Sequence, residues 1–209
     1  MGEASPATVS LLQTIATTAL ALYTGTTHIS NYSTTCLTIC SGFTFAYSHV
    51  VIPPMTTHAP PKLLAKQWLQ AYQFAPIFVA PLIILGASGN ALLAYFTTNS
   101  TSRASSLYTV AALATASIIP YTALYMEPGV NGAGKWKAQE LLRDDGFELK
   151  GAGQGTDKDT AKESAKRWAE KVDMKTIAET WAMTNAWRYV ITGVATTISV
   201  TATIMAVSS

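Results

Sequence analysis

Five apolar stretches divide this chain, and most of its charged residues fall between the last two. The stretches run from Val9 to Thr27, Cys36 to Pro53, Ala75 to Thr97, Leu107 to Met126, and Met183 to Val207. A helix needs about 20 apolar residues to cross the hydrocarbon core of a bilayer, and the last three stretches meet that length. The second is shorter, and threonines dilute the first. The pattern therefore leaves open whether five helices span, or four span behind a non-spanning lead.

The first stretch could also be read as a cleaved signal peptide. Signal peptides begin with basic residues, whereas no Lys or Arg precedes Lys62 here. This difference favours a helix that stays in the protein.

Charge is concentrated in one region of the chain. Only 12% of residues are charged, against about 25% in ordinary soluble domains. Ten of the 14 Lys and Arg lie between Lys135 and Lys175, and every Asp and Glu except Glu3 lies between Glu127 and Glu179. We therefore predict an all-α fold in one membrane domain over residues 1–209. It comprises a transmembrane four-helix bundle, an additional N-terminal hydrophobic helix, and a long charged helical loop at residues 127–182 before the last helix.

This charged loop contains patterns of its own. Residues 135–143 predict a short helix, and the glycines of residues 144–156 predict a flexible link. Asp157 or Thr160 is placed to cap a charged helix through Asp173, which we expect to continue into the last apolar segment. Loop parity puts Lys62 and Lys66 on the same side as this loop, which predicts that side to be cytoplasmic. The expected location is the endoplasmic reticulum or another internal membrane.

The composition also bears on partners. A net charge of +2 does not suggest nucleic acid, and the lipid bilayer is the expected surrounding. Cys36 and Cys40 sit in an apolar run and predict buried thiols rather than a disulfide. No sequence motif for a metal, nucleotide or flavin is present, so we expect no cofactor, although metal use stays open. A homo-oligomer also stays open.

Arg188 is the residue that most needs an explanation. It lies five residues into the last apolar stretch. A guanidinium at the centre of a membrane helix costs about 2.5–3.5 kcal/mol on insertion scales, so a charge at lipid depth needs an explanation. An arginine that snorkels to the interface explains this position without function. The alternative is a site, because Trp181 and Asn185 share its helix face at spacings of four and three. Such a stripe could orient a flat phenolic substrate.

Further polar and aromatic residues are predicted at the same membrane side. They are His49, Trp68, Tyr72, Glu127 and Asn131. An aromatic belt at the interface explains Trp68, Tyr72 and Trp181 equally well, and a lone His49 is more often a packing residue. With Trp181, the last four of these residues form our predicted substrate-binding set.

Several segments resemble the membrane family of fungal anthrone oxygenases, which act on polyketide anthrones. They are SGFTFAYSHVVIPPM from Ser41, KQWLQAYQFAP from Lys66, IIPYTALYMEPGVNGAGKWK from Ile118, and TWAMTNAWRYV from Thr180. The family has Pro and a nearby Asn after its third helix, matched by Pro128 and Asn131. It also has a W-x3-N-x2-R pattern, matched at Trp181, Asn185 and Arg188. Here Gly129 and Val130 separate the Pro and Asn, and the chain carries a longer apolar lead.

The resemblance implies an oxygenase that needs neither metal nor flavin. Deprotonation of an anthrone gives an electron-rich anion that reacts with O₂, and loss of water then leaves a quinone. On this hypothesis Arg188 holds the oxyanion, Asn185 donates a hydrogen bond, and His49 is the base. Two alternatives remain: a membrane-bound cyclase or isomerase of polyketide or terpenoid biosynthesis, and a non-catalytic transport or scaffold protein.

Overall fold

The protein is described here from a computed structural model that covers residues 6–97, 102–153 and 155–208, with side chains for 25–97, 103–153 and 155–208. Helix α1 (Pro6–Ala46) passes through a π-helical turn (Tyr47–Val51) into α2 (Ile52–His58). The long helix α3 (Pro61–Thr97) precedes α4 (Ser102–Ala116) and α5 (Ile118–Pro120). A π-helical segment (Tyr121–Asn131), α6 (Gly132–Leu142), a 3₁₀ turn (Arg143–Asp145), α7 (Glu163–Lys171) and α8 (Met174–Val207) complete the order.

Four helical runs among the described residues are long and apolar enough to cross a membrane. They are Gly25–His58, Pro61–Thr97, Arg103–Asp145 and Met174–Val207. Helix α1 contacts α3 and α8, and α4 contacts the same two helices. Along α1, Ser33 meets Asn90 and Leu37 meets Gly86, so α1 and α3 run antiparallel. Ser30 contacts Thr203 and Ser41 contacts Tyr189, so α1 and α8 also run antiparallel. The predicted all-α transmembrane bundle is confirmed.

The first two apolar stretches form a single helix rather than two. Helix α1 runs unbroken through residues 28–35, which lie between them. That connection contains neither Pro nor Gly, so nothing in it interrupts the backbone hydrogen bonds of a helix. The additional N-terminal helix is thus an extension of the first spanning helix, while the side chains of residues 9–24 lie outside the described part.

Small residues bring α1 and α3 into close contact. A Cβ on Gly86 would lie 2.6 Å from Cδ2 of Leu37, and one on Gly89 would lie 2.9 Å from Cβ of Ser33. Close backbone approach of this kind is a main source of helix association in lipid. Asn90 adds hydrogen bonds to Ser33 Oγ and to the carbonyl of Gly86.

The predicted charged loop begins as helix, because residues 127–142 lie in the π-helical segment and α6. The helix predicted at 135–143 is present as α6, but it continues directly from the third spanning run and packs against α3. The glycine link is also present, with positive φ at Gly146, Gly151, Gly153 and Gly155. The predicted continuous helix into the last segment is wrong. Val172 has an extended backbone that ends α7, and Asp173 caps α8 by accepting from the N–H of Thr176.

The π-helical segment positions residues that an α-helix would separate. Pro120 and Pro128 lack backbone N–H groups, and Gly129 departs from helical geometry at φ −97° and ψ −110°. Two residues five positions apart point about 140° away from each other around an α-helix. In a π-helix five positions make about one turn, so the same two residues point in nearly the same direction. Thr122 and Glu127 therefore share one face here, with Asn131 following on the same face.

Candidate active site

A cavity of about 400 Å³ lies between α3, the π-helical segment and α8. Apolar side chains form most of its wall, and Gly155 and Thr156 of the glycine-rich loop contribute to one end. Ile84 and Ile119, on the two flanking helices, both line the cavity and are more than half exposed. The cavity therefore extends to the apolar outer surface of the bundle. Its polar lining residues are Tyr72, Thr122, Glu127, Asn131, Thr156 and Arg188, and Trp181 adds an indole.

Arg188 lines this cavity and is only 9% exposed. One of its terminal nitrogens donates to Oγ1 of Thr122 at 2.9 Å. Its Nε is buried without a hydrogen-bond acceptor, and the guanidinium forms no ion pair within the described residues. A buried cation without a counter-charge is costly. The arrangement presents N–H donors and positive charge that a bound anion would satisfy.

Glu127 is the carboxylate that lines the cavity, and its oxygens are crowded with donors. Lys135 Nζ and the hydroxyl of Tyr72 each donate to Oε1 at 2.7 Å. Asn131 Nδ2 donates to Oε2 at 2.8 Å, and Thr160 Oγ1 lies 3.1 Å from Oε1. Donors of this number hold the group as a carboxylate, because an ionised carboxyl only accepts.

Lys135 supplies the positive charge next to Glu127 and has no solvent exposure. Its ammonium also donates to the carbonyl of Gly155 at 3.0 Å. The same side chain therefore neutralises the carboxylate and fastens the glycine-rich loop beside the cavity. Glu127 is paired with Lys135 and forms no ion pair with Arg188, so the guanidinium has no carboxylate partner of its own within the described residues.

Aromatic side chains support one end of the cavity. The rings of Trp68 and Tyr72 stack with centroids 5.3 Å apart and an interplanar angle of 3°. Trp181 meets Trp68 edge-on at 6.2 Å. A Cβ on Gly134 would lie 2.3 Å from the Trp68 ring, so α6 packs directly on this indole. The cluster fixes Tyr72 and thereby one of the donors to Glu127.

The cavity brings together five of the predicted site residues. Arg188, Trp181, Tyr72, Glu127 and Asn131 all line it. The predicted stripe on α8 is buried throughout, but its middle member points elsewhere: Asn185 donates to the carbonyl of Thr44 and to Ser48 Oγ on the first spanning helix.

Two further predicted residues lie away from the cavity wall. Trp68 is fully buried behind Tyr72. His49 is exposed and pairs with the hydroxyl of Tyr189 at 3.1 Å, in a separate groove that also contains Glu179 and Trp187. His49 lies within the π-helical turn Tyr47–Val51 and faces this outer groove. The structure therefore does not bring it to the site as a base.

Several residues that build the site were not predicted from the sequence. From the sequence, Lys135 belongs to the charged loop, Thr160 is only a candidate helix cap, and no pattern distinguishes Thr122. One pattern could have indicated Lys135: it follows Glu127 by eight residues, or about two helical turns. No local pattern indicates that Gly155 and Thr156 reach the cavity, because that contact depends on the path of the loop. Within the described residues, no group of three or more His, Cys, Asp or Glu is placed to hold a metal ion.

Among the described residues, four helical runs are long and apolar enough to cross a membrane, and a largely apolar cavity lined by the buried Arg188 lies between them. These features define a helical membrane protein with an internal cavity. The chain belongs to the anthrone oxygenase family, whose model matches residues 68–198. The match includes every residue placed in the cavity above and excludes His49. Membership supports an oxygenase-type role at the level of the family. Comparison with curated proteins and with solved structures gives no match.

Proposed function

We propose that the protein is a tailoring oxygenase of secondary metabolism that oxidises an anthrone-like aromatic ketone with O₂ inside this cavity, without a metal or flavin. The observation that carries the proposal is Arg188: a buried guanidinium with an unused N–H at the wall of a largely apolar space. An enolate oxygen is an acceptor of matching charge. Fixed donors in a water-poor site stabilise such an oxyanion far more than water does.

The reaction needs a proton acceptor and a stabilised anion. Removal of a methylene proton from the substrate gives the enolate, whose oxygen Arg188 would hold. In this proposal Glu127 takes the proton, since it is the carboxylate lining the cavity. Its four donors make it a weak base, and the guanidinium offsets this by making the substrate more acidic. Glu127 takes the role of base that the sequence suggested for His49. Asn185 has no part in the proposed reaction, because its amide donates to Thr44 and Ser48 on the first spanning helix.

The electrons for oxygen reduction come from the substrate itself. The enolate passes one electron to O₂, and the resulting radical pair combines to form a carbon–oxygen bond. Protonation gives a hydroperoxide, and loss of water from it gives the quinone. One O₂ is thus consumed for each ketone, with one oxygen atom retained in the product and one released as water.

The bilayer would supply the substrate. Ile84 and Ile119 are exposed on the outer surface and also line the cavity, so a hydrophobic ketone dissolved in lipid meets the opening directly. The expected topology puts the polar end of the cavity, with Glu127 and the glycine-rich loop, at the cytoplasmic side of an internal membrane.

The test uses the full-length protein in lipid nanodiscs, an anthrone and isotopically labelled O₂. We expect label in the quinone above the spontaneous background, and a loss of about 10²–10³-fold in turnover for Arg188→Gln. The matched control is Arg103→Gln, which removes an exposed arginine at the start of α4. Wild-type turnover in the Arg188 variant would contradict the proposal. Substrate conversion without label would indicate a cyclase or isomerase instead.

A further inference from the structure

Asn131 carries a buried acceptor that nothing in the described protein uses. The residue is 2% exposed, lines the cavity, and its Oδ1 has no hydrogen-bond partner. Buried amide oxygens are normally paired, since leaving one unpaired costs about 1–3 kcal/mol. An orphaned acceptor at a cavity wall points to a donor on the occupant of the cavity.

The orientation of this amide is fixed by its neighbour. Oxygen and nitrogen of an Asn side chain are assigned from the groups around them. Here Nδ2 lies 2.8 Å from Oε2 of Glu127, and Lys135 holds Glu127 as a carboxylate, which only accepts. A flipped amide would place two acceptor oxygens against each other. Oδ1 is therefore the atom left over.

We infer that Asn131 recognises a hydroxyl group on the substrate, accepting its hydrogen bond at Oδ1. The inference rests on the proposed use of the cavity for an aromatic ketone and adds a second polar contact to it. The substrate would bring an oxyanion to Arg188 and a phenolic hydroxyl to Asn131. Lys135 and Glu127 act as positioning residues in this contact, because they set the direction of the amide.

Asn90 shows that an unpaired buried amide oxygen does not by itself indicate a ligand-binding site. Its Oδ1 is also buried without a partner, and its Nδ2 donates to Ser33. Asn90 lines no cavity described for this protein and lies between packed helices. It therefore provides a matched control for the removal of a buried amide.

The experiment measures anaerobic binding, so that no turnover interferes. The probes are anthrone, an anthrone with one hydroxyl too far from the ketone for an internal hydrogen bond, and the methyl ether of that compound. Binding is followed by quenching of tryptophan fluorescence, since Trp181 lines the cavity. For the wild type we expect the hydroxylated probe to bind about ten- to a hundredfold more tightly than the ether, the range for leaving one buried acceptor unpaired.

Variants then assign the preference to one amide. Asn131→Leu should bind the hydroxylated probe and the ether alike, whereas Asn90→Leu should keep the wild-type preference. Glu127→Gln frees the Asn131 amide to flip and present its N–H₂ group to the ligand. We therefore expect this variant to bind the methyl ether about as tightly as the hydroxylated probe. A wild type without preference, as when a water molecule satisfies Oδ1, would overturn the inference, as would a preference that survives in Asn131→Leu. The wild-type comparison does not depend on any variant folding.

The outcomes separate this inference from the proposed function. A hydroxyl preference without label incorporation from O₂ would retain the binding contact and reject the oxygenase reaction. Incorporation of label without a hydroxyl preference would support the oxygenase reaction and reject the contact between Asn131 and a substrate hydroxyl.

Discussion

Lys135 donates a 2.7 Å hydrogen bond to Oε1 of Glu127 from a position with no solvent exposure. The pair joins α6 to the π-helical segment, while the same ammonium holds the carbonyl of Gly155. Lys135, which the sequence places in a charged loop, is thus a buried residue that supports the cavity-lining Glu127.

Replacing Lys135 by Met should strongly destabilise the protein. The variant leaves the Glu127 carboxylate without its cation, and breaking a buried ion pair by removing one partner costs about 3–5 kcal/mol. The double variant Lys135→Met with Glu127→Gln removes both charges and should recover part of the loss. Thermal unfolding of Lys135→Met, Glu127→Gln, the double variant and the wild type in detergent forms a double-mutant cycle. Additive losses would show that the two residues are not coupled.

Adding one methyl group at Gly134 should disturb the aromatic cluster. The new Cβ would lie 2.3 Å from the rigid indole of Trp68, so the ring or α6 must shift. Overpacking of this kind costs about 1–3 kcal/mol. Gly42→Ala is the matched control, because no atom lies within 4 Å of its added Cβ. A Gly134→Ala protein that unfolds at the wild-type temperature would show that α6 does not pack on Trp68 in this way.

Glu127 and His49 compete for the role of base, and their variants should differ. Removal of a general base typically costs about 10²–10⁴-fold in rate, and we expect such a loss for Glu127→Gln. His49→Gln should stay close to wild type, because His49 lies in a separate groove beside Tyr189. Oxygen uptake per folded protein, with the folded amount checked by circular dichroism, decides between them. If His49→Gln lost more oxygen uptake than Glu127→Gln, His49 and not Glu127 would be the base.

Asp173 should make the start of α8 sensitive to acid. The N–H of Thr176 donates to its carboxylate and holds the pKa of Asp173 below the usual range. The stability from this cap is therefore complete above the unfolded pKa of about 3.9 and is lost as the pH falls through the folded pKa.

The test of this cap compares Asp173→Ala with the wild type across the same acid range. Near neutral pH the variant should be less stable by about 1 kcal/mol or less, given the exposed position. This difference should shrink below about pH 4. Asp173→Asn keeps a neutral cap, so its stability relative to Asp173→Ala should not change over this range. A constant difference between wild type and Asp173→Ala would argue against a contribution from the ionised cap.

The sequence predicted what depends on local pattern. Apolar length predicted the last three spans but not that the first two stretches join in one helix. Spacings on α8 predicted that Trp181 and Arg188 share a buried face. His49 was misplaced because proximity to the membrane end says nothing about which face a π-helical turn presents. Lys135 was missed because a run of charged residues reads as solvated, unless its eight-residue distance from Glu127 is noticed. The approach of Gly155 depends on a long loop and has no counterpart in any short pattern.

The order in which the chain is made has a consequence for the ion pair. Glu127 and Lys135 emerge from the ribosome before Gly155 and Thr160, whose carbonyl and hydroxyl complete their hydrogen bonds, and well before Arg188. A chain interrupted ahead of Thr160 would therefore hold two charged groups at the membrane with part of their coordination missing. Biogenesis of the cavity is in this way tied to completion of the C-terminal quarter, and truncated products are expected to be substrates for membrane quality control rather than partially active enzyme.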